Sequence, residues 1–350
     1  MHRPGPLGVS QCEVTRGVLP AGRRRLVTLG LPVLLATGCN SNQAITNPAT
    51  RPARDINTLW WAMLAGALVV FAVVVALLVI AFVRRGRPGE PSHDDSGPYK
   101  VIIGGGLAAP MVVLAILFVF VVRVMPAVSA PAAGSTHLTV EVIGHQWFWE
   151  VRYPGTSAVT ANEIHIPSGT AVDVRATTVD VIHSFWVPRL NRKIDMIPGR
   201  ANRIELDAPD PGVYRGQCSE FCGVGHAQMS FYVIVQPPAQ FRAWLRAQSR
   251  PPATPAPAAG LLGRHTFLTV GCEDCHVIRG TSAAGRVGPD LTHVGSRRTL
   301  AALTIPNTPR TLYDWISNPQ AIKPGVRMPG FASLPAAQRH ALVAYLESLR

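Results

Sequence analysis

Cysteine is scarce in this chain of 350 residues: there are 6, at positions 12, 39, 218, 222, 272 and 275. Five of them sit in motifs that speak of metal binding or covalent attachment, and only Cys12 is left over, so a disulfide-stapled scaffold is excluded. Also missing is any Lys/Arg run interleaved with aromatics, so the formal net charge of +13 is not the footprint of a nucleic-acid binder. That charge is uneven. Residues 1–38 carry about +4, the stretch 127–250 about +1 and residues 251–350 about +5 by formal count. Methionine is absent after residue 229 except at Met328.

What is present points to membrane spans joined to loop-rich domains: 47% hydrophobic residues and a positive mean hydropathy beside 31 Pro and 31 Gly. The length suits two or three domains. Arg23–Arg25 followed by Leu26–Ala36 reads as an export signal over residues 1–38. It ends in Gly38-Cys39, a lipoprotein-type site in which Cys39 becomes the lipidated N-terminus. The long basic lead-in allows translation to begin downstream of Met1. Trp60–Val83 is an unbroken apolar run of 24 residues, about 36 Å as a helix, and Val101–Val122 is a second span. Arg84, Arg85, Arg87 and Lys100 lie between them, which places that loop in the cytoplasm and both outer ends of the hairpin on the opposite side. Gly104–Gly106 in the second span favours close helix packing.

Beyond a Pro/Ala/Gly linker, alternating or β-branched runs are expected as strands. They are 137–143, 148–153, 163–166, 171–178, 203–206, 213–217 and 231–235, separated by turn signals, and read as an all-β sandwich or barrel. The stretch Cys218-Ser-Glu-Phe-Cys-Gly-Val-Gly-His-Ala-Gln-Met229 packs two thiols, an imidazole and a thioether into twelve residues. Soft sulfur ligands suit copper, and imidazole suits copper or zinc. With His183 and the carbonyl of Glu220 the donors number six. That is too many for one tetrahedral ion, but fits two copper ions when both thiolates bridge. A structural zinc held by Cys218, Cys222, His226 and His183 is the alternative. It leaves Met229 without a role.

Residues 136–236 closely resemble the copper-A domain of cytochrome c oxidase subunit II. The resemblance rests on Gly144-His-Gln-Trp-Phe-Trp-Glu150, His183-Ser-Phe-Trp-Val-Pro188, Asp195-Met-Ile-Pro-Gly-Arg200 and the Cys218–Met229 loop. It implies a cupredoxin-like Greek key over residues 129–245. By side chain His183, Cys218, Cys222, His226 and Met229 would ligate a dinuclear copper centre, and Glu220 would do so through its carbonyl. The resemblance further implies that Trp147 lies on the electron-entry face and that the Glu220 carboxylate shares a magnesium ion at the boundary with subunit I, with Asp195 nearby. His145 and His165 are expected to be structural. One departure stands out: counting back from Pro110 puts Ile103 and Gly106 where many members carry the Glu and Trp of a proton path.

A Pro/Ala-rich tether over 246–260 leads to Gly271-Cys-Glu-Asp-Cys-His276, in which Cys272 and Cys275 can bond the vinyl groups of a haem c and His276 can ligate its iron. Residues 261–350 look like a class I cytochrome c. Met328 is the natural second axial ligand, with His265, His293 and His340 as substitutes only if it were misplaced.

The expected whole is a membrane hairpin (within residues 39–128), a β copper domain and a helical haem domain on the outer side of a bacterial cytoplasmic membrane. It resembles the electron-entry subunit of a respiratory haem–copper oxidase, which passes electrons from a donor such as a cytochrome through haem c and copper to subunit I. No histidine constellation for binding further centres occurs in the spans, so oxygen reduction belongs to the partner. Two other classes share part of this pattern: the dicopper and haem subunit of a nitric oxide reductase-type complex, and a copper-delivery protein. The basic haem domain suggests an acidic donor meeting Arg279, Arg286, Arg297, Arg298, Lys323 and Arg327.

Overall fold

The computed structural model describes residues 42–85, 96–128, 131, 135–136, 138–252 and 258–350. The expected signal, Cys39, Arg87, His137, residues 132–134 of the linker and 253–257 of the tether lie outside them. Helix α1 (Arg51–Arg84) opens on Thr50, whose hydroxyl accepts from the Ala53 amide at 3.3 Å, with a proline in its first turn. At about 51 Å it exceeds the roughly 30 Å of a hydrocarbon core. The second long element joins α2 (Ser96–Val101), a π-helical turn at Ile102–Ala108 over the glycine run, and α3 (Ala109–Val128). Arg51–Arg84 and Tyr99–Pro126 have windows of mean hydropathy 3.2 and 2.7, with none of either window buried against protein. Apolar surface on that scale needs a nonpolar surround.

Ten strands follow: β1 (Leu138–His145), β2 (Phe148–Arg152), β3 (Val159–Ala161), β4 (Glu163–Pro167), β5 (Val172–Thr178), β6 (His183–Trp186), β7 (Ile194–Met196), β8 (Asn202–Leu206), β9 (Gly212–Cys218) and β10 (Ser230–Gln236). They form two five-stranded sheets, β3-β2-β1-β5-β8 and β4-β10-β9-β6-β7. One core is shared between the sheets, with Trp149, Phe185 and Phe231 at its centre. This is the cupredoxin-like sandwich. All seven expected strands are present, and β3, β6 and β7 are additions. The segment before α1 is stitched to this domain: the Ala49 amide donates to the Arg189 carbonyl at 2.9 Å and Arg189 Nε donates to the Asn47 carbonyl at 2.7 Å.

Helix α4 (Pro238–Gln248) packs Phe241 and Trp244 on Tyr153. Because α4 runs to Gln248 and α5 (Ala258–Thr269) begins at Ala258, the stretch between helices is shorter than the expected 246–260 tether. After a short ribbon of β11 (Thr299–Leu300) and β12 (Ile305–Pro306) come α6 (Pro309–Ser317), α7 (Pro319–Ile322) and α8 (Ala336–Ser348). Phe267 of α5 meets Tyr345 of α8 edge-on at 6.1 Å, over a separate core.

Candidate metal centre and haem cavity

Two sheet neighbours, β6 and β9, bring His183 and Cys218 to one end of the sandwich, where Phe185 pairs with Cys218. The loop after β9 returns through a short 3-10 turn, His226–Gln228, into β10. The donors are strung in order. His183 Nδ1 lies 3.8 Å from Cys218 Sγ, which lies 3.8 Å from Cys222 Sγ, which lies 3.7 Å from His226 Nδ1. Met229 Sδ is 3.8 Å from Cys222 Sγ, and the Glu220 carbonyl oxygen is 3.2 Å from Cys218 Sγ. His183, Cys218 and Cys222 have donor atoms all within 4.8 Å of one another, and His226 falls outside that set. All six expected donors thus converge. His183 and Met229 are fully buried, whereas Glu220 and Asp195 are exposed.

Sequence reasoning missed Asp180. Its Oδ1 sits 2.9 Å from His183 Nε2 and fixes the ring so that Nδ1 points at the thiols, as a carboxylate behind a metal-ligating histidine does. The carboxylate is itself held by the Gln146 and Val181 amides at 2.7 Å. Burial would raise the Asp180 carboxyl, but these hydrogen bonds outweigh it and hold it below the usual range. Burial likewise opposes charge on His183, yet Cys218 and Asp180 keep its imidazole above its ordinary value. Of the two thiols Cys218 is the acidic one, drawn down first by its hydrogen bond with Cys222. Such a thiolate is ready to receive a soft metal.

Trp147 joins this site to the next. Its Nε1 donates to the Cys222 carbonyl at 3.0 Å and Gln146 Nε2 donates to the same oxygen at 2.8 Å. The Trp147 side also lines a cavity of about 560 Å³ that contains Cys272, Cys275, His276 and Met328. Apolar side chains such as Leu291, Leu312, Trp315 and Phe331 line it too. That volume, with convergent polar groups, is of cofactor size. His276 Nδ1 donates to the Pro289 carbonyl at 2.8 Å, leaving Nε2 as ligand, and burial holds the ring neutral by lowering its pKa. A Cβ on Gly288 would lie 2.4 Å from His276 Cε1, so only glycine lets the chain pass beside the ring. Burial pushes the Cys272 thiol up to about 11. The chain fits a c-type haem.

Among the described residues, His145 lines the wall of the haem cavity, and His165, His293, His340 and His265 are engaged elsewhere or exposed. His145 stacks on Phe148 and pairs with Glu150, and His165 stacks on Trp244. His293 reaches the Arg250 carbonyl at 3.0 Å, His340 stacks on Tyr313 and His265 is exposed. The expected basic docking face needs correction. Lys323 and Arg297 are buried, and Arg279 Nη1 donates to the Ser249 carbonyl at 3.1 Å. Arg286, Arg298 and Arg327 remain exposed.

A membrane-anchored β-sandwich with a thiolate–imidazole–thioether cluster, joined to a c-type cytochrome fold, defines an electron carrier. A family described as cytochrome c oxidase subunit II, periplasmic domain, matches residues 158–236, and one described as cytochrome c matches residues 261–350. Cytochrome c oxidase subunit 2 of Alkalihalophilus pseudofirmus is 31% identical over 339 residues, spanning 93% of this chain and 97% of the relative. That of Bacillus subtilis is 25% identical over 353 residues, spanning 93% and 98%. The periplasmic domain of subunit II of cytochrome oxidase from Bradyrhizobium japonicum is a solved structure 32% identical, covering 33% of this chain and 96% of that one, with a TM-score of 0.32. The chain belongs to the cytochrome c oxidase subunit 2 family. It is therefore an electron-transfer subunit of an oxidoreductase complex.

Proposed function

We propose that this chain takes electrons from a donor onto a haem c held by Cys272, Cys275, His276 and Met328, and hands them to a dinuclear copper centre held by His183, Cys218, Cys222, His226, Met229 and the Glu220 carbonyl. They then pass to a partner subunit where oxygen is reduced with proton translocation. The strung order of donors carries the reading: spacings of 3.8, 3.8 and 3.7 Å along His183–Cys218–Cys222–His226 give each thiol two neighbours. That arrangement supports two ions with shared thiolates over a single cage. When bound, the haem iron and the copper pair each supply a one-electron couple, so oxidation of one balances reduction of the other with no proton or leaving group.

The chain's own side chains position and insulate. Asp180 orients His183, Pro289 orients His276, and Trp147 bridges the cavity wall and the Cys222 carbonyl. The exposed Glu220 leaves its carboxylate for a magnesium ion at the partner boundary. Both apolar helices cross the bacterial cytoplasmic membrane, with Arg84, Arg85 and Lys100 inside and the two domains outside.

The full chain loaded with copper should hold two coppers per chain and show hyperfine structure from one electron shared by two nuclei in electron paramagnetic resonance. One copper with a single-nucleus pattern would sink the dinuclear reading. For the donor, Arg286, Arg298 and Arg327 carry the basic surface toward an acidic partner. Haem reduction by an acidic cytochrome should slow as salt rises; stopped-flow rates insensitive to salt would remove that partner.

A further inference from the structure

Lys323 is 1% exposed, an environment in which an ammonium is retained only with full partnership. Its Nζ donates to three carbonyls from three separate segments: Trp147 at 2.7 Å, Gln228 at 2.7 Å and Ala301 at 3.1 Å. Trp147 lies in the turn between β1 and β2, Gln228 lies between the donors His226 and Met229, and Ala301 belongs to the haem domain. Three acceptors match the three N–H groups of an ammonium, although burial, opposed in part by the charge of Cys222, brings the amine down to about 7. The neighbours reinforce the contact. Gln228 Nε2 donates to the Ile322 carbonyl at 3.0 Å, and a Cβ on Gly325 would lie 2.4 Å from Val224 Cγ2 and 3.3 Å from the Trp147 ring. Met328, the distal ligand, follows Lys323 by only five residues.

We propose that Lys323 is the positioning residue of the electron route: it clamps the distal-methionine loop of the haem domain onto the backbone of Trp147 and of the copper loop, and so fixes the haem cavity against the tryptophan. The assignment rests on the haem-to-copper reading above. It makes this side chain the point where three segments of the two folding units are tied together, beside single contacts such as Gln228 Nε2 to the Ile322 carbonyl at 3.0 Å, the Ser230 amide to the Ala302 carbonyl at 3.4 Å and the Arg298 amide to Glu163 Oε1 at 2.7 Å.

The test uses the assembled oxidase. Lys323→Met keeps the unbranched chain to its fourth atom and removes the ammonium with its donors. Rapid photoreduction of the haem, followed by copper reduction, should show intramolecular transfer slowed roughly tenfold or more, since misplacement on the ångström scale costs rates of that order. The methionine–iron absorption band and the copper resonance should be unchanged, and amide exchange should rise at 144–148 and 320–325. Gly325→Ala is the second variant: its added carbon, at a backbone φ of +87° that favours glycine, meets Val224 and Trp147, and the same slowing is expected with the lysine retained. Transfer at the unaltered rate in Lys323→Met overturns the proposal. So does slowing with loss of the methionine–iron band, because the lysine would then be building the haem pocket. An unsubstituted oxidase with no haem-to-copper transfer would defeat the electron route instead, and the exchange measurement would still decide whether Lys323 clamps the domains.

Discussion

The two redox domains meet their cofactors in opposite ways. In the copper domain the donors already touch one another: every neighbouring pair in the cluster lies within 3.8 Å, on the ends of β6 and β9 and on the loop from β9 to β10, all carried by one sheet of the packed sandwich. In the haem domain Cys272, Cys275, His276 and Met328 face a cavity of about 560 Å³, walled by residues of helices α6 and α8 and, on one side, by the copper-domain turn at Trp147. The first site is preorganised by a core of its own, in which Trp149, Phe185 and Phe231 fill the sandwich. The second is a shell whose centre the cofactor supplies. A β-sandwich can therefore tolerate loss of its metal, whereas the helical domain is built around its group.

Removing the attachment thiols breaks the comparison most forcefully. A void of this size, at about 24 cal/mol per Å³, would cost on the order of 10 kcal/mol as an upper bound, comparable to the whole stability of a domain. In Cys272→Ala/Cys275→Ala the stretch 258–350 should lose cooperative protection in hydrogen exchange, while 138–248 keeps it. Stripping copper with a chelator should leave both protected. Equal loss in the two domains under either treatment would erase the distinction.

Asp180→Asn sharpens it from the other side. The amide keeps the size of the carboxylate but not its charge, and it leaves one oxygen where two accept from His183 Nε2 and the Gln146 and Val181 amides, so the anchor of the His183 ring is weakened. Copper affinity should fall roughly 10- to 100-fold in chelator competition, with thermal unfolding of the sandwich little changed. A large stability loss at unchanged affinity would mean that Asp180 serves the fold and not the metal.

That residue also marks where sequence reading ended. The copper donors were legible because their chemistry is packed into one loop plus His183, and the haem motif is contiguous. The strand that carries His183 was not, since β6 is buried on both faces except at Trp186 and so shows no alternation. Asp180 acts only through the turn that folds it back on His183. Lys323 was read as a surface charge by its type. Its partners lie 176 and 95 residues away in the chain, and nothing local announces burial. The short helices α6 and α7 and the exact reach of the tether were likewise set by packing around the cavity.

The smallest effect concerns acid stability of the sandwich. Glu150 accepts from Arg152 Nε at 2.6 Å and pairs with His145 Nε2 at 3.0 Å. Burial raises its carboxyl, but these two partners outweigh burial and hold it below its ordinary value of 4.5. The folded state then binds fewer protons than the unfolded one as pH falls past that value. The stabilisation is fully present above pH 4.5 and is lost as pH drops through the lower folded value. Glu150→Gln removes this linkage, and since the pair is partly exposed the difference should be at most about 1 kcal/mol. Urea unfolding of the unsubstituted and variant sandwich should therefore differ slightly at pH 7 and converge in acid. A difference that persists or grows below the carboxylate range would show that Glu150 acts by packing, and would place this edge of the copper domain on the same footing as the haem shell, dependent on fit more than on charge.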